Sequence, residues 1–303
     1  MNLKLLGILT TLAGGFLWGF SGVCGQYLFE RKGANPQWLS AWRLLFSGVV
    51  ILLIAFPLYK KDIFKVFNKK NIIPFLIFAF VSLMGCQYTY YVAIAASNSA
   101  TATVLEYISP AVVMLFICAA GKKLPTPVQI IALICAMAGV FIMATGGHIS
   151  SLSISRTALV WGLISGLCYA LYTIQSPSLS ALCGLLPLLG WGSIIGSIPL
   201  FIINHEYIFS YMLPDFTGLL AFIGTSIVGV ILGFGLYVKG CQMVGPVTGS
   251  LCASVEPLSS ALVSFLWLGT TFKASDIVGI VLIVGTVVIL ALDKGREKNA
   301  VEK

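Results

Sequence analysis

Long apolar runs separated by short polar breaks are the feature that most constrains how this chain of 303 residues can fold. Several runs reach about 18 residues, the length that a helix needs to cross a hydrocarbon core of roughly 30 Å. With 58% hydrophobic and 9% charged residues, the chain holds more apolar side chain than one water-soluble core can bury. The sequence therefore predicts an all-α polytopic membrane protein.

Ten transmembrane helices are predicted, and the distribution of basic residues between them sets their orientation. Lysines and arginines collect at one set of alternate breaks, and the other set holds Arg31, Lys32, Arg156 and Lys273. Because cytoplasmic loops are enriched in Lys and Arg, both termini are predicted to lie in the cytoplasm and the protein in the plasma (inner) membrane. The predicted spans are 5–29, 38–58, 72–95, 98–120, 127–145, 157–180, 185–203, 216–240, 245–269 and 274–292.

The second half of the chain repeats the first. Five spans are followed by five more, which predicts one repeat at 1–146, a loop at 147–156, a second repeat at 157–292 and a tail at 293–303. An odd number of spans per repeat forces the two repeats into opposite orientations, as in many secondary transporters. The identities at a constant offset of 147 residues are Tyr90 with Tyr237, Thr101 with Thr248, Pro110 with Pro257 and Leu115 with Leu262.

Two glutamates are the carboxyl groups predicted to lie well inside the bilayer. Glu256 falls near the middle of the ninth span and Glu106 about eight residues into the fourth. An ionisable group at that depth is by default a candidate functional site, although a neutral acid that bonds to a neighbouring helix is the alternative. Pro257 and Pro110 are predicted to kink these spans and to free the carbonyls of Ala253 and Glu106.

Arg43 is the basic residue inside the second span. Two structural roles are predicted for it: an ion pair with Glu106 that joins spans two and four, or a side chain that reaches the headgroups from near the outer end of its span.

Aromatic and amide side chains supply further candidates for a solute cavity. In the third span, Tyr88 and Tyr91 are expected on one helix face, and Gln87 and Tyr90 on another. Rings with polar tips suit an amphipathic or cationic solute, although an interfacial aromatic belt is the alternative. Second-tier candidates are Trp18, Tyr169, Tyr172, Gln175 and Ser254.

Short motifs spread over most of the chain resemble the EamA group of the drug/metabolite transporter superfamily. They are Leu17-Trp18-Gly19, Ser21-Gly22-Val23-Cys24, Arg43-Leu44, the run from Asn98 to Pro110, Ser151-Leu152-Ser153-Ile154-Ser155, and Glu256-Pro257-Leu258-Ser259-Ser260.

The resemblance implies ten helices in two inverted repeats, cytoplasmic termini and movement of small organic solutes, frequently export of amino acids or related metabolites. Many relatives carry a glutamate just after spans four and nine, where this chain has Gly121-Lys122-Lys123 and Gly269-Thr270-Thr271. A role for that glutamate therefore cannot be transferred to this chain.

Other function classes fit the sequence less well. An intramembrane enzyme would need paired aspartates or histidine clusters within the spans, and a channel or scaffold would not require prolines beside buried acids. The net charge of +8 comes from loop lysines that set topology, so no nucleic acid is expected. The chain has no phosphate-binding G-x-x-x-x-G-K-[ST] loop. We expect no catalytic residue, metal or cofactor, a proton as the candidate coupling ion, and a monomer or homodimer.

Overall fold

The computed structural model describes residues 3–97, 99–121, 124–145, 155–203 and 205–269, together with residues 274, 277, 278, 281, 282, 285 and 289. Every regular element among these residues is helical. The tail at 293–303 lies outside the described residues, and so do most of the inter-repeat loop at 147–156 and of the tenth predicted span at 274–292.

The helices follow the predicted spans closely over the described residues. A 3₁₀ stretch, Lys60–Phe67, extends the second helix. In chain order the helices are α1 Leu3–Lys32, α2 Pro36–Tyr59, α3 Ile72–Ala95, α4 Ser99–Glu106, α5 Ser109–Gly121, α6 Pro127–Thr145, α7 Arg156–Cys183, α8 Leu185–Ile203, α9 His205–Ser210, α10 Phe216–Val244, α11 Pro246–Cys252 and α12 Val255–Leu268.

Within the described part of the chain, seven helical segments are long and apolar enough to cross a membrane. They are α1, α2 with its 3₁₀ extension, α3, α7, α8, α10 and the segment Pro246–Leu268, which contains α11 and α12. α5 and most of α6 are apolar but shorter. The protein is therefore a multi-pass helical membrane protein, and these residues do not give the tenth helix of the expected count.

Local sequence signals set several helix ends. Asn35, Ser155 and Asp215 precede α2, α7 and α10, and each side chain accepts a hydrogen bond from a backbone N–H in the first turn, as short polar N-caps do. Gly184 and Gly245 follow α7 and α10 with φ of 88° and 80°, a conformation that favours glycine. These glycines let the chain turn directly into α8 and α11.

Two predicted spans are interrupted at equivalent places in the two halves. The fourth span breaks at Tyr107 and Ile108, between α4 and α5, and the ninth breaks at Ala253 and Ser254, between α11 and α12. α3 and α10 each contain a π-helical stretch, Phe78–Gly85 and Gly224–Phe234, a feature that is frequent near functional sites.

The first helix of each half packs mainly against helices of the other half. α1 packs mainly against α10 and α12 of the second half, while α7 packs mainly against α3 and α4 of the first. α2 and α8, the second helices of the two halves, pack extensively against each other. The centre of the protein is therefore built from both halves.

Candidate functional site

A small cavity lies at the centre, where helices of both halves meet. Its volume is about 30 Å³, taken as the space that the centre of a water molecule can occupy, which is room for roughly two waters. The cavity is therefore small. Its lining residues are Trp18, Ser21, Arg43, Cys86, Gln87, Tyr90, Tyr91, Glu106, Tyr169, Phe234 and Glu256.

Glu106 reaches the cavity from the last position of α4 and is 6% exposed. The Ser165 hydroxyl on α7 lies 2.6 Å from its Oε1 atom, and the Cys86 thiol on α3 lies 3.4 Å from the same oxygen. Ser165 also approaches the backbone carbonyl of Cys86. A carboxyl group from the first half is thereby held by the first helix of the second half.

Glu256 reaches the cavity from the first turn of α12 and is 3% exposed. The Tyr90 hydroxyl on α3 donates to its Oε1 atom at 3.3 Å and also bonds to the Thr103 hydroxyl of α4 at 2.9 Å. The single hydroxyl hydrogen of Thr103 can be donated to Tyr90 or to the carbonyl of Ser99, 2.8 Å away. The second acid is therefore tied to polar groups of the first half.

The contacts of Arg43 differ from both structural roles predicted for it. Its side chain is 3% exposed, so it does not reach out to the headgroups. The ion pairs within 4.0 Å among the described residues join Lys32 to Asp215 and Lys65 to Asp62, so the expected pair with Glu106 is absent. The guanidinium instead lies 4.6 Å from the centre of the Tyr91 ring, a cation–π geometry.

Several polar atoms of the cavity lining are buried without a hydrogen-bond partner. They are Nε of Arg43, Nε1 of Trp18, Nε2 and Oε1 of Gln87, and the hydroxyl of Tyr169. Because most buried polar groups in proteins are paired, each exception requires an explanation. Three of these five atoms are N–H donors, one is an amide oxygen that accepts, and the Tyr169 hydroxyl can do either.

The structure brings six of the ten predicted cavity residues together with Arg43. These are Glu106, Glu256, Gln87, Tyr91, Trp18 and Tyr169. Sequence reasoning did not include Ser21, Cys86, Tyr90 and Phe234 among the cavity residues. Tyr90 carried a signal in the sequence, since it shares a helix face with Gln87 and matches Tyr237 at the offset of 147 residues.

The other four predicted residues lie away from the cavity. Tyr88 is partly exposed and packs on Trp161, with ring centres 5.9 Å apart. Tyr172 is buried among Phe78, Phe234 and Tyr237. Gln175 accepts a 2.6 Å hydrogen bond from Ser82, and Ser254 donates to the carbonyl of Leu251 within its own turn.

The prolines start helices rather than kink them. Pro110 and Pro257 lie in the first turns of α5 and α12, where a missing N–H is tolerated. The carbonyl of Ala253, expected to be free, accepts the Glu256 N–H at 2.9 Å. The chain therefore breaks ahead of each proline and turns the acid toward the cavity.

Two glycines let neighbouring helices approach the acids closely. A Cβ atom at Gly19 on α1 would overlap the carbonyl of Glu256 and the Ser259 hydroxyl. At Gly166 on α7 it would lie 2.9 Å from the carbonyl of Glu106. Small residues at helix interfaces in lipid allow this backbone contact.

Comparison with known proteins places these features in a family. The pattern of the EamA-like transporter family matches residues 5–145 and 156–292. This chain belongs to the EamA-like transporter family. The two matches cover the two halves whose helices meet at the cavity.

Individual relatives agree with the family assignment. The uncharacterized inner membrane transporter YicL of Salmonella typhimurium is 36% identical over 295 residues, which cover 97% of this chain and 98% of that protein. A WAT1-related chloroplastic protein of Arabidopsis thaliana is 22% identical, over 93% of this chain and 68% of its own length. A crystal structure with 14% identity has a TM-score of 0.74 and covers 94% of this chain and 96% of its own, which shows a common fold. The EamA family and its relatives thus make this chain a membrane transporter.

Proposed function

We propose that this protein is a secondary transporter that exports a small organic metabolite, such as an amino acid or an amine, across the inner membrane. The observation that carries the proposal is the small cavity between the two halves, lined by Arg43, Glu106 and Glu256. Ionisable side chains buried at membrane depth are costly and mark solute or ion pathways.

Alternating access is the mechanism that this cavity favours. A space for about two waters is too small for an organic metabolite, so solute can enter only if the helices move apart. The exchange of packing partners between α1 and α7 is the relation expected of two repeats that rock against each other. We propose that the repeats are inverted within a ten-helix protein and that both termini are cytoplasmic.

A proton is the coupling ion that we propose, because each acid is held by groups of the opposite half. Ser165 of the second half contacts Glu106, and Tyr90 of the first half contacts Glu256. A rocking motion would change these contacts, so protonation and conformation would be linked.

Counterflow in proteoliposomes tests the transport function. Vesicles loaded with metabolite pools are first profiled with and without the protein, and the solutes that change are then studied singly. We expect uptake that saturates and is stimulated by unlabelled solute on the opposite side. Flux that does not saturate would indicate a channel, and chemical conversion of the solute would indicate an enzyme.

A further inference from the structure

Arg43 is a buried cation without a carboxylate partner in a cavity that contains two carboxyl groups. Neither Glu106 nor Glu256 lies within 4.0 Å of a guanidinium nitrogen. Both acids have other hydrogen-bond partners. Glu106 is bonded to Ser165 and Cys86. Glu256 is bonded to Tyr90. Burial of a charge is unfavourable unless the charge is paired and hydrogen-bonded. The free protein therefore holds one positive group that a negative solute group can satisfy.

The neighbouring unpaired atoms favour the same kind of ligand. Trp18 offers an indole N–H, Gln87 an amide N–H₂, and Arg43 its Nε–H, all buried and without partners. Gln87 also has one free acceptor, its Oε1 atom. A set rich in donors around a guanidinium matches an oxyanion, and the planar guanidinium fork matches a carboxylate in particular.

Tyr91 holds the guanidinium in place. Its ring centre lies 4.6 Å from the guanidinium carbon of Arg43, and its hydroxyl bonds to the hydroxyl and carbonyl of Ser21 on α1. This cation–π contact holds the guanidinium beside the ring, and the ring takes up none of its N–H hydrogen bonds. Arg43 is thus positioned before any solute arrives.

We propose that Arg43, assisted by Gln87 and Trp18, binds a carboxylate group of the transported solute. This inference rests on the proposed transport function and narrows its substrate class, because a simple amine lacks the group that Arg43 would recognise. The rest of the solute would contact the aromatic wall formed by Tyr90, Tyr169 and Phe234.

Pairs of compounds that differ only at the carboxyl group test the proposal. 4-Methylpentanoate and 4-methylpentanamide form one pair, leucine and leucinamide the second, and 3-methylbutylamine serves as the amine alone. Thermal unfolding of the detergent-purified protein reports binding. We expect the carboxylates to raise the unfolding temperature more than their amides do.

Variants of Arg43 and Gln87 test whether these residues cause the preference for carboxylates over amides. R43Q should weaken carboxylate binding about 10- to 100-fold, the range for loss of a charged hydrogen bond, and should abolish the preference over amides. R43K should keep part of the preference over amides. If R43Q does not fold, Q87L replaces it, since Q87L removes two unpaired atoms and should lower carboxylate affinity without loss of fold. Equal binding of carboxylates and amides, or a preference that survives both R43Q and Q87L, would overturn the proposal.

Counterflow with the same compounds separates this inference from the transport function. Carboxylate-selective binding without counterflow would contradict transport and support the role of Arg43. Counterflow without carboxylate preference would contradict the role of Arg43 alone. The absence of both binding and counterflow across the panel would contradict both.

Discussion

The Tyr90 hydroxyl donates a hydrogen bond to the Glu256 carboxyl at 3.3 Å and thereby joins the first half of the protein to the second inside the cavity. Tyr90 is also bonded to Thr103 of α4, the helix that ends at Glu106. The Tyr90 hydroxyl thus connects α4, which ends at Glu106, with α12, which carries Glu256.

Replacement of Tyr90 by Phe keeps the ring and removes this connection. We expect Y90F to lower the free energy of unfolding by about 1–3 kcal/mol, because Glu256 and Thr103 each lose a buried partner. Transport should also become less dependent on pH. The matched control is Y172F, since the Tyr172 hydroxyl is buried without a hydrogen-bond partner and its removal should be nearly neutral. Equal effects of the two variants in thermal unfolding would show that the Tyr90 hydroxyl stabilises the fold no more than the Tyr172 hydroxyl does.

Both acids are expected to take part in proton coupling. E106Q and E256Q keep the shape of the side chain and remove the ability to ionise. We expect each variant to reduce uptake driven by a pH gradient at least tenfold while counterflow, which needs no gradient, is reduced less. Uptake driven by a pH gradient is measured in proteoliposomes for each variant and for the double variant. Unchanged pH-driven uptake in the double variant would rule out proton coupling through these residues.

The close approach of α1 to Glu256 depends on Gly19. G19A should lower the free energy of unfolding by about 1–3 kcal/mol, the usual effect of overpacking, because the added methyl group would overlap the Glu256 carbonyl and Ser259. G235A is the control, since a Cβ atom there would meet nothing within 4 Å. Thermal unfolding in detergent measures both. A tolerated G19A would mean that α1 and α12 are farther apart than described.

A pH effect is expected at Asp215, outside the spans. Hydrogen bonds from Lys32, the Gly218 N–H and Thr217 hold the pKa of Asp215 below its ordinary value of 3.8, at about 2. A pKa lowered in the folded state stabilises the fold above the ordinary pKa, and this stabilisation is lost as the pH falls from about 4 toward 2.

Two variants distinguish the stabilisation by the ion pair of Asp215 from the stabilisation by its N-cap of α10. D215N should lower the unfolding temperature by a small amount that is constant from pH 7 to 5 and disappears toward pH 2. D215A should lower it further, because it also removes the N-cap of α10 that Asn can replace. If the D215N difference persisted at pH 2, the ion pair would not be its cause.

Membrane-length apolar runs located the helices from sequence because lipid exposure requires such runs. The breaks ahead of Pro110 and Pro257 were predicted only as kinks, since proline also fits a helix that continues past it. The offset of 147 residues pairs Glu106 with Ala253 and Ser109 with Glu256. The two acids therefore occupy different positions in the repeat, one before the break and one after it.

The cavity face of α3 shows why the lining could not be predicted from sequence. At about 100° per residue, the cavity residues Cys86, Tyr90, Gln87 and Tyr91 span about 140° of the helix surface, and Tyr88 lies about 60° beyond Tyr91. Periodicity gives these relative angles, but the direction in which the face points is set by packing against α7 and α4. The same limit applies to Arg43, whose partner Tyr91 comes from another helix.

Labelling of the cavity from each side of the membrane tests alternating access most directly. Ser21 lines the cavity, so S21C is introduced into a protein whose eight native cysteines have been replaced, and S176C serves as a buried control outside the cavity lining. A membrane-impermeant thiol reagent is applied to either face of oriented vesicles. Alternating access predicts labelling of S21C from both faces, slower labelling with bound solute, and no labelling of S176C. Labelling of S21C from one face only, or from neither face, would contradict alternating access.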